Sequence, residues 1–133
     1  MDGKCCFKKG SAQHEFCYRH QCYETTRQVV EYLDLKPEQY FTTFQSRLGR
    51  DPWLQPYTDK TIEKFAEEGI ENLAVVTPAF VSDCLETLEE IGMEGKEEFI
   101  EAGGKVFHTI PCINDNDDWV NVMNSWIKEW QNK

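Results

Sequence analysis

The sequence predicts an α/β fold: a three-layer sandwich in which helices cover a parallel sheet of three to four strands. Two observations predict it. Short runs of β-branched, aromatic and other apolar residues alternate along the chain with segments of helical periodicity. Strands that alternate with helices form βα units, whose strands lie parallel. A length of 133 residues is enough for one such core.

The first half of the chain contributes two helices and one strand to this prediction. A helix is predicted over 24–33, where apolar residues recur on one side. The run 40–45 is aromatic and β-branched, which favours a strand. The loop 49–56 contains two prolines, which exclude a helix there. Asp59 is a good cap for the next helix, which is predicted to end at 66.

The second half repeats the alternation. In order, its elements are a strand over 73–76, a long acidic helix over 82–102, a strand over 106–110 and a helix over 117–130. The long helix is expected to bend near Gly92 and to stop at Gly103 and Gly104. The last helix carries an apolar stripe that we assign to the core. Its members are Trp119, Val122, Met123, Trp126, Ile127 and Trp130.

The first 23 residues differ from the rest of the chain. They hold four of the six cysteines and little apolar periodicity. We therefore predict a cysteine-rich connecting segment over 1–23, without regular structure, and an α/β domain over 24–133.

Charge and cysteine content narrow the function classes. The 24 acidic and 14 basic residues give a net charge of −10, which disfavours nucleic acid as a partner. No apolar run reaches the about 18 residues of a membrane-spanning helix, and the first residues do not resemble a signal peptide. We expect a cytoplasmic protein, either free or peripheral to a membrane. Cysteines in that compartment point to metal or redox chemistry before disulfides.

Polar residues follow each predicted strand. They are Gln45 to Arg47 after the first strand, Thr77 to Glu86 after the second and Pro111 to Asn114 after the third. Because ligands of open α/β sheets bind at the carboxyl ends of the strands, this coincidence predicts one active edge.

The most informative residues of this edge are three glutamates. Glu86, Glu90 and Glu94 recur every four residues and so share one face of the long helix. Single carboxylates bind divalent cations weakly, which suits capture and transfer of a metal ion. They could also accept protons if burial raised their pKa. The alternative is a solvated acidic helix face, which is common.

The cysteine-rich segment has a second candidate site. Cys5, Cys6, Cys17 and Cys22 could hold a [2Fe–2S] cluster or zinc, with His14 and His20 as substitutes. The spacing lacks the paired C-x2-C knuckles of a zinc ribbon, so unligated thiols are the alternative.

Isolated residues carry weaker signals. Trp53 could stack on a flat apolar ligand or cover the core. His108 lies within a predicted strand and is read as structural. Cys84 and Cys112 are read as small buried residues, although Cys84 is close enough to the acidic row to touch a metal.

From Tyr40 to the end the chain resembles ferrochelatase of the bacterial type, and a weaker match begins at Gln21. The matching stretches are Phe44-Gln45-Ser46-Arg47-Leu48-Gly49, Pro52-Trp53-Leu54-Gln55-Pro56-Tyr57-Thr58-Asp59, Pro78-Ala79-Phe80-Val81-Ser82-Asp83-Cys84-Leu85-Glu86-Thr87-Leu88-Glu89-Glu90, Gly103-Gly104 and Ile110-Pro111-Cys112-Ile113-Asn114. Ferrochelatases have two similar α/β lobes with a porphyrin between them. The resemblance implies that this chain is the carboxyl-terminal lobe.

The resemblance also implies roles for the site residues. Glu86 would face the porphyrin and act in metal delivery or proton removal, and Glu90 and Glu94 would continue the acidic line on a partly π-helical segment. Trp53 would line the porphyrin pocket, with Ser46 and Arg47 near the same cleft. Cys84 stands where many relatives have histidine. Some bacterial ferrochelatases carry a [2Fe–2S] cluster on cysteines of this region.

The expected function is therefore insertion of ferrous iron into a porphyrin, either protoporphyrin IX or coproporphyrin. Nothing in the chain matches the family's catalytic histidine motif, so we expect this segment to be inactive without the amino-terminal lobe and to self-associate through the face that the lobe would cover. A half-size chelatase that pairs with itself and a non-catalytic metal or iron–sulfur module are the alternatives.

Overall fold

The computed structural model describes residues 10, 12–45, 49 and 52–133. The described residues form two compact units, one ending at Thr61 and the other beginning at Ile62. The fold is mixed α/β, with α-helices and one parallel sheet.

The first unit is built on helix α1, Tyr18–Tyr32, which follows a 3-10 turn over Ala12–Phe16. The helix begins at Tyr18 and not at Glu24, so the expectation that the segment over 1–23 lacks regular structure is wrong for its last part. The sequence from Tyr18 to Tyr32 contains no proline or glycine, so nothing stops the helical hydrogen bonds from extending towards the amino terminus. Arg27 reinforces α1 through ion pairs of 2.6 Å with Glu24 and with Glu31.

The predicted strand over 40–45 does not form. Phe44 alone makes a parallel bridge, to Tyr57. Its N–H donates to the carbonyl of Pro56 at 2.9 Å, and its carbonyl accepts from the N–H of Thr58 at 3.3 Å. The segment opposite contains two prolines, which have no N–H to donate, so the ladder cannot continue. A short 3-10 turn over Pro37–Gln39 precedes this segment.

Helix α2, Thr58–Glu67, leads into the second unit. There, strands β1 (Asn72–Val75) and β2 (Val106–Thr109) pair in parallel, with Leu73 opposite Phe107. The sheet of the described residues therefore has two strands, fewer than the three to four predicted. A π-helix over Glu86–Gly95 and helix α3, Lys96–Glu101, connect the two strands.

The core of the second unit lies where α2, the π-helix, α3 and β2 meet. Its buried side chains are Ile62, Ala66, Ile91, Phe99 and Phe107. The rings of Phe99 and Phe107 pack 5.7 Å apart between centroids. Gly104 lies directly against the Phe99 ring, where a Cβ atom would come within 2.2 Å of a ring carbon, so there is no room for a side chain.

Helix α4, Asp117–Gln131, closes the chain, and its cap is Asn116, whose side-chain oxygen accepts from the N–H of Asp118 at 3.0 Å. The prediction that its apolar stripe belongs to the core is wrong. Trp126 is 55% exposed and Trp130 is 76% exposed. Helical periodicity shows which side chains share a face, but it does not show whether another element covers that face. Within the described ranges, no helix is both long enough and apolar enough to cross a bilayer.

Candidate functional site

The acidic segment is a π-helix in its first ten residues, Glu86–Gly95, and becomes an α-helix at Lys96. The sequence predicts a bend near Gly92, whereas in the structure Gly92 lies inside a continuous π-helix and the helix type changes at Lys96. The partly π-helical segment implied by the resemblance is confirmed. π-helical turns are rare and are frequently found at functional sites. A Cβ atom on Gly92 would lie 3.2 Å from the carbonyl oxygen of Thr87, so glycine suits this wide turn.

The three glutamates differ in exposure. Glu86 and Glu90 are half-buried, whereas Glu94 is exposed. In an α-helix, a spacing of four overshoots one turn of 3.6 residues by about 40° per step, whereas it falls short of the wider turn of a π-helix, so the three glutamates stay on one side of the helix without forming a straight line. The row therefore leads from solvent towards the amino-terminal end of the π-helix.

The row does not form a closed metal cage. Among the described residues, no three His, Cys, Asp or Glu side chains come close enough together to hold one ion. Each glutamate would offer an ion only one or two oxygens, with water completing the coordination. Such sites bind weakly and exchange ligands readily.

The loops that follow β1 and β2 meet beside Glu86, as the edge prediction requires. Asn114, in the β2 loop, donates from its side chain to Oδ2 of Asp83 at 2.7 Å. In return, the backbone N–H of Asp83 donates to Oδ1 of Asn114 at 2.9 Å. The Thr77 hydroxyl and the Cys112 thiol are in hydrogen-bond contact at 3.4 Å. The second and third polar groups predicted from sequence therefore share one edge.

Hydrogen bonds also set the charge state of the two carboxylates. A hydrogen bond from the side chain of Cys84, and a second from its own backbone N–H, lower the pKa of Glu86. Hydrogen bonds from the Asn114 side chain and the Cys112 backbone lower the pKa of Asp83. Both groups are therefore anionic at neutral pH. Glu86 thus presents a charged oxygen ligand, not a carboxyl raised towards neutrality.

Cys84 and Cys112 are not simply apolar filling. Both are half-buried and neither is in a disulfide. The Cys84 side chain contacts the Glu86 carboxylate, and burial raises the pKa of the Cys112 thiol. His108 lies on β2, as predicted, with its side chain exposed.

The partnership of Asp83 with Asn114 escaped the sequence reasoning. Both residues stood in the polar groups that follow the strands, but their sequence positions are 31 apart. The available signal was polar residues with complementary hydrogen-bonding groups in neighbouring βα loops.

The candidate porphyrin contacts lie in the first unit. Trp53 is 40% exposed, and its indole N–H donates to the carbonyl of Gln45 at 2.9 Å. This hydrogen bond fixes the ring while leaving part of its surface free. Ser46 and Arg47, predicted to bind substrate, lie outside the described residues.

The cysteine-rich segment is described in part. Cys17 and Cys22 are half-buried free thiols, and the rings of His14 and His20 stack at 3.7 Å between centroids. Cys5 and Cys6 lie outside the described residues. Two of the four expected ligands, Cys17 and Cys22, are therefore among the described residues, and the [2Fe–2S] cluster stays a prediction.

Comparison with known proteins gives a consistent result. The chain is 47% identical over 119 residues to the ferrochelatase of Ectopseudomonas mendocina, covering 90% of this chain and 35% of that protein. It is 50% identical over 111 residues to the ferrochelatase of Brucella anthropi, covering 84% of this chain and 32% of that protein. The chain thus spans about a third of the length of these curated relatives. The ferrochelatase family model matches residues 4–131, nearly the whole sequence, and the chain therefore belongs to the ferrochelatase family.

Proposed function

We propose that this chain is the carboxyl-terminal lobe of a ferrochelatase and that Glu86 is the ligand from which ferrous iron passes to the porphyrin. One observation carries the proposal. Glu86 is a half-buried, anionic carboxylate in the first turn of a π-helix, at the edge where two βα loops meet. Family membership supplies the reaction, and this carboxylate supplies a place for the metal.

The reaction exchanges protons for iron. A free porphyrin carries two pyrrole N–H groups, and Fe²⁺ replaces both protons, so the products are the iron porphyrin and two H⁺. The iron must also give up water ligands for four ring nitrogens. A protein can help by delivering the ion on exchangeable oxygen ligands and by accepting protons.

Glu86 fits the first of these tasks better. A general base works best when its pKa lies near the working pH, and hydrogen bonds from Cys84 and from its own backbone lower the pKa of Glu86. Its carboxylate is thus a poor proton acceptor and a good ligand for a hard divalent cation.

Glu90 and Glu94 form the path to Glu86. The exposed Glu94 would meet hydrated iron first, and the half-buried Glu90 lies between the two. Because each site is weak, the ion is not retained along the row. If the three glutamates are only a solvated acidic helix face, substituting any of them should leave the rate of iron insertion unchanged.

The porphyrin, either protoporphyrin IX or coproporphyrin, would lie against the exposed part of Trp53, and Ser46 and Arg47 are proposed to contact it. We further propose that the complete enzyme is a cytoplasmic protein, free or peripheral to a membrane, and that the parallel sheet of this lobe has three to four strands. Since no histidine of this chain matches the family's catalytic motif, insertion requires the amino-terminal lobe.

The alternatives remain open to test. A half-size chelatase would insert iron without any other chain, and purified protein assayed alone with Fe²⁺ and porphyrin under nitrogen distinguishes it. A [2Fe–2S] module would absorb strongly in the near-ultraviolet and visible range after anaerobic purification, whereas zinc and free thiols would not.

The main experiment replaces the matching third of the Ectopseudomonas mendocina ferrochelatase with this chain. In this chimera, Glu86→Gln should reduce iron insertion about 100-fold or more, an effect comparable to removing another electrostatic catalytic group, while porphyrin binding measured by fluorescence stays unchanged. The matched control is Glu89→Gln, an exposed glutamate of the same π-helix. Normal insertion rates in Glu86→Gln would refute the assigned role.

A further inference from the structure

Asp83 lies in the loop between β1 and the π-helix, and its contacts set it apart from the glutamate row. Oδ2 accepts from the Asn114 amide at 2.7 Å. Oδ1 accepts from the backbone N–H of Cys112 at 3.2 Å and is 3.3 Å from the Thr87 hydroxyl. Both oxygens are therefore occupied by the protein. A carboxylate used in this way is poorly placed to bind an ion as well.

Thr87 carries the contact into the π-helix. It is 1% exposed, and its hydroxyl oxygen accepts from the N–H of Cys84 at 2.9 Å. Its single hydroxyl proton can be given either to Oδ1 of Asp83 or to the carbonyl of Cys84, 3.1 Å away. The Cys84 carbonyl also accepts from the backbone N–H groups of Thr87 and Leu88. These bonds fix the turn on which Glu86 stands.

Asn114 is suited to the other side of this contact. Its φ is 52°, in the left-handed region that asparagine tolerates better than most residues. Its side chain also donates to the carbonyl of Cys112 at 3.2 Å, and its backbone N–H donates to the carbonyl of Val81 at 2.9 Å. The β2 loop is thereby attached to the β1 loop at Val81 and at Asp83, only a few residues before Glu86.

We propose that Asp83, held by Asn114, is the positioning residue of the metal site and fixes the Glu86 carboxylate at the edge of the sheet. This inference rests on the proposed function, because it assigns to Glu86 the role of a metal ligand. Residues that orient a metal ligand without touching the metal commonly change metal affinity 10- to 100-fold.

A contact that only stabilises the fold would behave differently. Its loss would lower the free energy of unfolding but would leave metal binding to the folded chain unchanged. A positioning contact changes metal affinity while the chain is still folded. The test therefore measures both quantities on the same variants.

The probe is Mn²⁺ alone, which is stable in air and broadens the NMR signals of nearby amides. Broadening of the amides of Glu86, Thr87 and Leu88 gives the Kd. The variants are Asp83→Asn, Asn114→Asp, the exchanged pair Asp83→Asn with Asn114→Asp, and Asn114→Gly. Urea unfolding and hydrogen exchange at the Thr87 and Leu88 amides complete each data set.

The donor and acceptor groups of each variant determine whether Mn²⁺ affinity should fall or recover. Asp83→Asn sets donor against donor, and Asn114→Asp sets carboxylate against carboxylate, so each should weaken Mn²⁺ binding at least about tenfold. The exchanged pair restores the hydrogen bond between the two side chains, although not the bond from residue 114 to the Cys112 carbonyl, and should recover most of the affinity that the single variants lose. Failure of the exchanged pair to recover affinity counts against the inference.

Asn114→Gly separates geometry from charge and from folding. Glycine adopts a φ of 52° readily, so the backbone is kept, and no charge is altered. The expected result is again a loss of at least about tenfold in affinity. Asp34→Gly is the matched control, because Asp34 has the same φ of 52° and belongs to the first unit. Its Kd should equal that of the parent.

The two proposals fail in different ways. The proposed metal role of Glu86 is wrong if Mn²⁺ does not broaden the amide signals of the unmodified chain, or if the broadening persists in Glu86→Gln. In that case the hydrogen-exchange rates of the Thr87 and Leu88 amides alone test the positioning role of Asp83. Faster exchange at Thr87 and Leu88 in Asn114→Gly then supports positioning of the turn. Unchanged exchange, or an unchanged Kd in a chain that does bind Mn²⁺ at Glu86, overturns it.

Discussion

Asp83 and Asn114 are joined by two hydrogen bonds of opposite direction, from the Asn114 amide to the Asp83 carboxylate at 2.7 Å and from the Asp83 backbone to the Asn114 side-chain oxygen at 2.9 Å. The pair connects the loops after the two parallel strands. It ends three residues before Glu86, so the edge of the sheet and the start of the π-helix form one hydrogen-bonded unit.

The first prediction concerns acid. Hydrogen bonds from Asn114 and Cys112 hold the pKa of Asp83 below its ordinary value of 3.8. The stabilisation that these hydrogen bonds give is complete above pH 3.8, and it is lost as the pH falls through the lower pKa of the folded state. Asp83→Asn should therefore be less stable than the parent at neutral pH, and the difference should shrink below about pH 4. Urea unfolding over a pH series measures it.

A difference in unfolding free energy that stays constant down to the lowest accessible pH would contradict this assignment. Glu24 also loses stabilisation in acid, because Arg27 lowers its pKa to about 2. That response is common to both proteins and cancels in their difference.

The second prediction tests the packing of Gly104. A Cβ atom there would lie 2.2 Å from the ring of Phe99, which is 0% exposed and has no free space to enter. Gly104→Ala should lower the free energy of unfolding by about 1–3 kcal/mol. The comparison is Gly95→Ala, whose Cβ would meet its nearest atoms at 3.3 Å. If the two variants unfolded at the same urea concentration, the close approach of residue 104 to Phe99 would not be the cause of the lost stability.

The third prediction concerns the start of α4. The side chain of Asn116 accepts from the N–H of Asp118, which satisfies one of the free amides of the first turn. Asn116→Ala should cost about 1 kcal/mol of stability. Asn121→Ala, an exposed change inside the same helix, should be neutral or slightly stabilising, because alanine is the better helix former. If Asn121→Ala unfolded at a lower temperature than Asn116→Ala, the capping role of Asn116 would be ruled out.

The fourth prediction follows from the exposed apolar stripe of α4. Trp126 and Ile127 are each 55% exposed, and contiguous apolar surface of this kind promotes association. We expect the sedimentation coefficient to rise with protein concentration, and Trp126→Glu to reduce that rise. Asn124→Glu adds the same charge on the other side of the helix and should leave it unchanged. Concentration-independent sedimentation of the parent would exclude self-association.

Some elements were well predicted because local signals specify them. The strand predicted over 73–76 is observed as Asn72–Val75, and the last helix, predicted over 117–130, is Asp117–Gln131. Apolar runs between turn residues and a capped helical period are short-range features. The glutamate spacing likewise placed Glu86, Glu90 and Glu94 on one helical segment, although their roles stay predictions.

Other expectations failed because they depend on distant partners. The run 40–45 has strand propensity, yet Phe44 meets a proline-containing segment and makes only a bridge. The stripe of α4 has core composition, yet Trp130 is 76% exposed. Propensity and periodicity describe a segment, whereas a ladder or a buried face requires a second segment in register.

By itself, the sequence determined the family, the order of most helices and strands, and the presence of three glutamates at regular spacing, since each of these is carried by residues close together along the chain. Only the tertiary structure decided that Asp83 pairs with Asn114, that Glu86 is half-buried and that the first candidate strand makes only an isolated bridge. The physical reason is that hydrogen bonding and burial between segments depend on which surfaces meet in space, and a linear sequence does not state that.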